Sequence, residues 1–141
     1  MLSESLQRFA AILITLWAGS LWTVCGLVAP SLFALLDDRH LAGQLAGHFF
    51  RVQSIIGLAV AGVLLLLAWR GRIALQGRVL VWLGGLLPFA AIVLLGPFME
   101  RSRSSGDMAQ FALLHGISAF CFLSACIALA IFVWKFNRPA E

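Results

Sequence analysis

Residues 9–36 read FAAILITLWAGSLWTVCGLVAPSLFALL, a run of 28 residues without a charged side chain. A helix of about 20 apolar residues crosses a hydrocarbon core that is about 30 Å thick. The run is therefore long enough for one crossing and too short for two. Because lipid offers the backbone no hydrogen-bond partners, a segment that crosses it must be helical. This stretch alone predicts a transmembrane helix.

Three more charge-free runs follow, at residues 52–69, 79–99 and 108–134. Each is long enough for one crossing. Asp37 and Asp38 precede the second run and are favourable N-cap residues, so we expect the second helix to begin ahead of its charge-free part. The sequence therefore predicts a single all-α domain, an integral membrane four-helix bundle. Over residues 1–141, its spans are expected at about 9–32, 42–69, 79–98 and 108–134.

The composition supports a lipid environment. Hydrophobic residues make up 62% of the chain and charged residues 11%, whereas a soluble domain carries about 25% charged residues. So few charges leave too little polar surface to face water. The ten Lys and Arg residues are scattered at the ends of the apolar runs, which is typical of membrane anchors and not of a phosphate-binding face. We therefore expect no binding to nucleic acid.

The distribution of basic residues predicts the orientation. Six fall on one side of the membrane: Arg8, Arg70, Arg72, Arg78, Lys135 and Arg138. Four fall on the other side: Arg39, Arg51, Arg101 and Arg103. The side with more Lys and Arg is normally cytoplasmic, so both termini are expected in the cytoplasm. Three tryptophans fall at this same interface, as an aromatic belt would: Trp69, Trp82 and Trp134.

Polar side chains gather at the opposite, non-cytoplasmic end. His48 and Arg51 are three residues apart and share a face of the second helix, and His115 and Ser118 share a face of the fourth in the same way. The connection before the fourth helix adds further charge. We expect a candidate ligand-binding site formed by six residues: His48, Arg51, Glu100, Arg101, His115 and Ser118.

Several roles are open to this end of the bundle. His48 and His115 could face one another and hold a haem or a soft metal ion, as paired imidazoles do in four-helix bundles. They could instead make structural hydrogen bonds or transfer protons. Arg51 and Arg101 could bind lipid phosphate or an anionic solute, or extend from the helix ends as anchors.

The spacing of two prolines indicates an internal repeat. Pro30 and Pro97 each lie 18 residues before a histidine, His48 and His115 respectively, which gives an offset of 67. The remaining identities at this offset are no more than an apolar composition supplies. The hypothesis is that two parallel helical hairpins are related by a pseudo-two-fold axis along the membrane normal.

Other features point to packing. Three cysteines lie inside apolar runs and form no CxxC pair: Cys25, Cys121 and Cys126. Such cysteines usually act as small buried hydrophobic residues. Small residues four apart, as in Gly57-x-x-x-Ala61, let helix backbones approach closely. Trp17 lies deeper than interface anchoring explains and is expected to fill space against small residues.

Two stretches resemble a known family. The first hairpin contains LWAGS at 16–20, APSLF at 29–33 and LAG at 41–43, and the fourth helix contains FALLHGIS at 111–118. These segments resemble a bacterial membrane family of unknown function that is related to the eukaryotic four-span transmembrane protein 205. The resemblance implies a four-helix protein of the bacterial inner membrane. It implies no activity.

The function classes follow from what is present and what is missing. The sequence contains no Ser-His-Asp arrangement, no HExxH, no phosphate loop and no carboxylate inside a span, so we predict no catalytic residues. The favoured class is a non-enzymatic binding or accessory membrane protein, forming a homo-oligomer or contacting another membrane protein. The alternatives are a haem- or metal-binding protein that uses His48 and His115, and an oligomeric transporter of a small solute or lipid.

Overall fold

The computed structural model describes residues 2–136, so Arg138 lies outside the described residues. Its helices are α1 (Leu2–Thr23), α2 (Ala29–Leu35), α3 (Arg39–Trp69), α4 (Arg78–Ala90), α5 (Gly96–Ser105) and α6 (Met108–Phe136). Two π-helical segments join α1 to α2 and α4 to α5: Val24–Val28 and Ala91–Leu95.

Four continuous helices result, each long and apolar enough to cross a membrane. They are the first span (Glu4–Leu35), the second (Arg39–Trp69), the third (Arg78–Ser105) and the fourth (Met108–Phe136). The predicted four-span, all-α architecture is confirmed. The helices reach past the expected spans, most of all the first and the third, because a helix does not have to end where the hydrocarbon ends.

One end of the bundle contains two short connections, residues 36–38 and 106–107, and we call it the short-loop end. The Asp38 carboxylate accepts hydrogen bonds from the backbone N–H groups of His40 at 2.8 Å and Leu41 at 3.1 Å, so the predicted N-cap of the second span is confirmed. At the other corner Gly106 ends α5 with a φ of 76°, a left-handed conformation that glycine adopts without strain.

At the opposite end of the bundle, the side chain of Gln7 bonds the first span to a loop. Gln7 donates from Nε2 to the Ala74 carbonyl at 3.2 Å and accepts from the Ala74 N–H at 3.0 Å. These two bonds connect the start of the first span to the loop between α3 and α4. Ile73 and Leu75, on either side of Ala74, are buried in the core. The loop is therefore packed onto the bundle and does not hang free.

Glycines bring the helices together around Trp17. The Trp17 side chain is 2% exposed, and a Cβ at Gly57 would lie 2.9 Å from its Nε1 atom. A Cβ at Gly85 of α4 would lie 2.6 Å from the Cβ of Ala61. Real Cβ atoms do not approach so closely, so these contacts require glycine. The expected packing roles of Trp17 and of Gly57-x-x-x-Ala61 are confirmed.

Polar side chains also join the first two spans inside the bundle. Gln53, which is 4% exposed, donates from Nε2 to the Ser20 hydroxyl at 2.9 Å. That hydroxyl donates in turn to the Trp17 carbonyl at 2.8 Å. In lipid an unpaired amide is costly, so this chain of bonds favours one rotation of the first span against the second.

The two π-helical segments match the proposed internal repeat. Val24–Val28 and Ala91–Leu95 are separated by the same offset of 67, and each is followed by a small residue and a proline. A proline has no N–H, so the helix before it loses a hydrogen bond and must adjust its turn. The same adjustment at corresponding positions supports the hypothesis of two related hairpins.

Candidate functional site

The six residues expected to form a site do not contact one another. Ser118 is half-buried and the other five are exposed: His48, Arg51, Glu100, Arg101 and His115. Among the described side chains, no hydrogen bond, ion pair or ring contact joins any two of these six residues. What they share is that all six lie in the half of the bundle that contains the short-loop end.

Each histidine of the expected pair contacts an aromatic ring on its own helix. The His48 ring meets Phe49 edge-on, with centroids 6.1 Å apart. The His115 ring stacks on Phe111, with centroids 5.9 Å apart and an interplanar angle of 13°. In the core between these two helices the rings of Phe50 and Phe122 pack against each other at 4.7 Å.

This arrangement bears on a metal or haem site. Both imidazoles are exposed, while phenylalanine rings occupy the interior between α3 and α6. Within residues 2–136, no group of three or more His, Cys, Asp or Glu side chains could hold a metal ion. Haem or metal binding by His48 and His115 therefore stays a prediction that no contact in the described chain supports.

Another residue at this end, Arg103, lies against residues of two neighbouring spans. Its guanidinium carbon lies 4.9 Å from the centroid of the Phe111 ring, in cation–π geometry. Its Nη2 atom lies 3.7 Å from the position that a Cβ on Gly43 would take. The half-buried Arg103 side chain of the third span thus rests against both the second and the fourth span.

A hydrogen-bonded corner keeps Arg103 and Phe111 in this relation. The buried hydroxyl of Ser102 lies 2.6 Å from Oε1 of Gln110 and donates to it across the turn between α5 and α6. The backbone N–H of Gln110 donates in turn to the Asp107 carboxylate at 3.0 Å. The corner is therefore fixed on both sides of Gly106.

The arginines at this end form no ion pairs with its carboxylates in the described chain, although the positive and negative side chains are equal in number. Four arginines surround it: Arg39, Arg51, Arg101 and Arg103. Of the nearby acidic residues, Asp38 and Asp107 use their carboxylates to accept backbone hydrogen bonds at helix starts. Among the described side chains, no arginine forms an ion pair with a carboxylate. The guanidinium donors are therefore available to an anion from outside the chain.

Sequence patterns alone point to only part of this site. The sequence predicts Arg51 and Arg101 as anion ligands and places Arg103 only nearby. Phe111 is apolar and belongs to the segment that carries the family resemblance, so its residue type does not point to a binding site. The eight-residue separation of Arg103 and Phe111 across a glycine turn is the signal that was available, since a short helical corner returns the chain beside itself.

Comparison with known proteins gives a family without an activity. No curated protein and no solved structure matches the chain. A family model described as a domain of unknown function (DUF4149) matches residues 12–102, which cover nearly all of the first three spans and end at the corner beside Arg103. Because the match covers more than half of the chain, this multi-pass membrane protein belongs to the DUF4149 family.

Proposed function

We propose that the protein is a non-enzymatic binding protein of the bacterial inner membrane, which holds the phosphate headgroup of an anionic lipid at its short-loop end. Both termini face the cytoplasm, so the headgroup belongs to the outer leaflet. The relation of the family to transmembrane protein 205 is part of this proposal and rests on the sequence resemblance alone.

The supporting observation is the Arg103 guanidinium, which rests on Phe111 and Gly43 and has no carboxylate partner among the described side chains. Guanidinium offers a planar fork of N–H donors that matches phosphate oxygens. A side chain held in one place loses less conformational freedom when it binds, which favours affinity. Arg103 is therefore a prepared hydrogen-bond donor for a phosphate at the short-loop end.

Simple anchoring explains this geometry less well. An arginine that only anchors a helix end extends its charged head away from the protein toward water. Arg103 instead turns onto two neighbouring spans, and an aromatic ring covers it. Such a position limits its contact with water and leaves its remaining donors for an anion that reaches the edge of the bundle.

The test measures lipid retention. The purified protein would be incorporated into nanodiscs that contain phosphatidylglycerol and phosphatidylethanolamine, released into the gas phase, and analysed for bound lipid by native mass spectrometry. We expect selective retention of phosphatidylglycerol. The Arg103→Ala variant should lose about tenfold or more in apparent affinity, since a hydrogen bond to a charged group contributes about 1.5–3 kcal/mol.

The matched control is Arg72→Ala, which removes an exposed arginine at the opposite end of the bundle. It should leave selective retention unchanged. Arg103→Lys keeps the charge but lacks the planar fork, so its affinity should fall between those of the wild type and Arg103→Ala. Equal losses in Arg72→Ala and Arg103→Ala, or no preference for the anionic lipid in the wild type, would contradict the proposal.

A further inference from the structure

The inward face of the fourth span is sealed in one half of the bundle and accessible in the other. Residues on this face recur every three or four positions along α6. In the half away from the short-loop end they are buried: Ala125, Ala128 and Phe132. In the half that contains the short-loop end, residues of the same face are only half-buried: Phe111, Leu114, Ser118 and Cys121.

The second span shows the same change along its own inward face. Toward the loop between α3 and α4 this face is buried: Ser54, Gly57, Ala61, Leu64 and Ala68. Toward the short-loop end it continues through half-buried residues: Gly43, Gly47 and Phe50. A Cβ at Gly47 would meet nothing within 4 Å. Open space therefore lies beside the inward face of α3 at Gly47.

Contacts between the second, third and fourth spans limit this space at two levels. At the short-loop end, the Arg103 side chain reaches from Phe111 on α6 to Gly43 on α3. Toward the middle of the bundle, the rings of Phe50 and Phe122 pack at 4.7 Å. Phe111 and Phe122 are 11 residues apart on one helix, which corresponds to about 16 Å at about 1.5 Å per residue. We call the space between these two levels the open groove.

The open groove is accessible from the side, between the first and fourth spans. These spans are joined below the groove, where the indole N–H of Trp22 donates to the Cys126 carbonyl at 3.2 Å. Nearer the short-loop end the first span continues as α2, which packs on α3 and on the π-helical segment before it, while α6 packs on α5. Within the described chain, no comparable packing joins α2 to α6. The groove therefore faces the surrounding lipid.

We propose that the open groove holds one acyl chain of the phospholipid whose phosphate Arg103 binds, an inference that rests on the proposed function. Along α6, Ser118 is the one hydroxyl between Leu114 and Cys121, whereas a water molecule in a protein interior needs about two to four polar partners. The length of about 16 Å matches one leaflet, which is half of a hydrocarbon core of about 30 Å. Because Arg103 lies at the end of the groove, a phosphate at Arg103 and a chain in the groove can belong to one lipid.

The test locates the acyl chain directly. The full chain would be incorporated into nanodiscs with phosphatidylglycerol that carries a photoreactive diazirine midway along one acyl chain, then irradiated, digested and analysed by mass spectrometry. We expect labels on three residues of the groove: Leu114, Ser118 and Cys121. The proposal is overturned if labels are confined to exposed residues of the same helix, such as Leu113 and Phe120, whether water or a second copy then fills the groove.

A variant that fills the groove provides the second measurement. Gly47→Phe should lower labelling of Leu114 and Ser118 by about tenfold, because a ring and a chain together would overpack the space. Replacing a glycine inside a helix does not weaken the helix itself. The matched control is Gly62→Phe, at an exposed glycine of α3 that also has nothing within 4 Å; it should label as the wild type does. Unchanged labelling in Gly47→Phe, or an equal loss in Gly62→Phe, would count against the groove. If Gly47→Phe does not fold, the positions labelled in the wild type decide.

Failure of this inference and failure of the proposed function give different results. The same labelling would be repeated with phosphatidylethanolamine that carries the diazirine, and with Arg103→Ala. Equal groove labels from both lipids, unaffected by Arg103→Ala, would support the groove and contradict the headgroup proposal. A preference for phosphatidylglycerol that Arg103→Ala abolishes, with labels only outside the groove, would support the headgroup proposal and overturn the groove.

Discussion

The guanidinium of Arg103 lies 4.9 Å above the ring of Phe111, and the two residues belong to different transmembrane spans. The ring also stacks with His115 on the next turn of α6. Phe111 is thus shared between a cation and an imidazole. This contact orders the corner at which the third and fourth spans meet, and it is the centre of the lipid-binding proposal.

Removal of the Phe111 ring should weaken lipid binding less than removal of the Arg103 charge. An exposed cation–π contact contributes about 0.5–1 kcal/mol, so Phe111→Leu should reduce retention of phosphatidylglycerol by about two- to fivefold. Native mass spectrometry in the same nanodiscs gives the ratio. The control is Phe120→Leu on the same helix, whose side chain is 70% exposed and has no ring contact among the described residues. A larger loss in Phe120→Leu than in Phe111→Leu would argue against a role for the contact.

A methyl group at Gly85 should destabilise the bundle. The new Cβ would lie 2.6 Å from Ala61 Cβ and 3.2 Å from the Gly57 carbonyl oxygen, so α3 and α4 must move apart. Overpacking of this kind costs about 1–3 kcal/mol in the free energy of unfolding. The change is measured by unfolding the Gly85→Ala variant in mixed micelles while the fraction of a denaturing detergent is raised. Gly62→Ala, at a position with nothing within 4 Å, should be neutral, and equal destabilisation of both variants would be the contrary result.

The hydrogen bond between Gln53 and Ser20 can be measured with a double-mutant cycle. Gln53→Leu, Ser20→Ala and the combined variant should give a coupling free energy of about 0.6 kcal/mol, with about 1.7 kcal/mol as the upper end for such bonds between membrane helices. The Ser20 hydroxyl keeps its bond to the Trp17 carbonyl in Gln53→Leu, so a moderate value is expected. Additive single and double variants would show that the bond contributes nothing to stability.

Limited trypsin cleavage at Arg72 tests the orientation. This residue is exposed in the loop between α3 and α4. If the loop is cytoplasmic, trypsin should cleave it in inside-out vesicles and leave it intact in spheroplasts. The opposite pattern would place both termini outside the cytoplasm and would move Arg103 to the inner leaflet.

The same cleavage reports on the bonds between Gln7 and Ala74. Gln7→Leu removes both, so the loop should open more often and cleavage in inside-out vesicles should accelerate by about five- to thirtyfold, for a loss of about 1–2 kcal/mol. Gln76→Leu serves as the control, because Gln76 lies exposed in the same loop without a hydrogen bond among the described residues. Unchanged cleavage in Gln7→Leu would mean that Ile73 and Leu75 alone hold the loop in place.

The number and type of the elements followed from the sequence. A charge-free run of about 20 residues has one stable solution in lipid, because only a helix satisfies the backbone within a single segment. The cap at Asp38 and the packing at Gly57 followed in the same way, since each depends on chemistry within one helix or on the small size of one residue. Position along the membrane normal stays a prediction, which rests on the charged and aromatic residues at the ends of the apolar runs.

Rotation of each helix about its own axis was decided by tertiary structure. The fourth span is apolar on nearly all sides, so its sequence does not show which side faces the protein. His48 and His115 each lie 18 residues after a proline, and this spacing does not show which way their side chains face. In the structure both are exposed and contact an aromatic ring of their own helix. Arg103 and Phe111 come together only because the packing of glycines against Trp17 and Ala61 sets those rotations. The charge-free run at residues 9–36 therefore determined that the chain is a membrane helix bundle, and the close packing between spans determined which side chains meet within it.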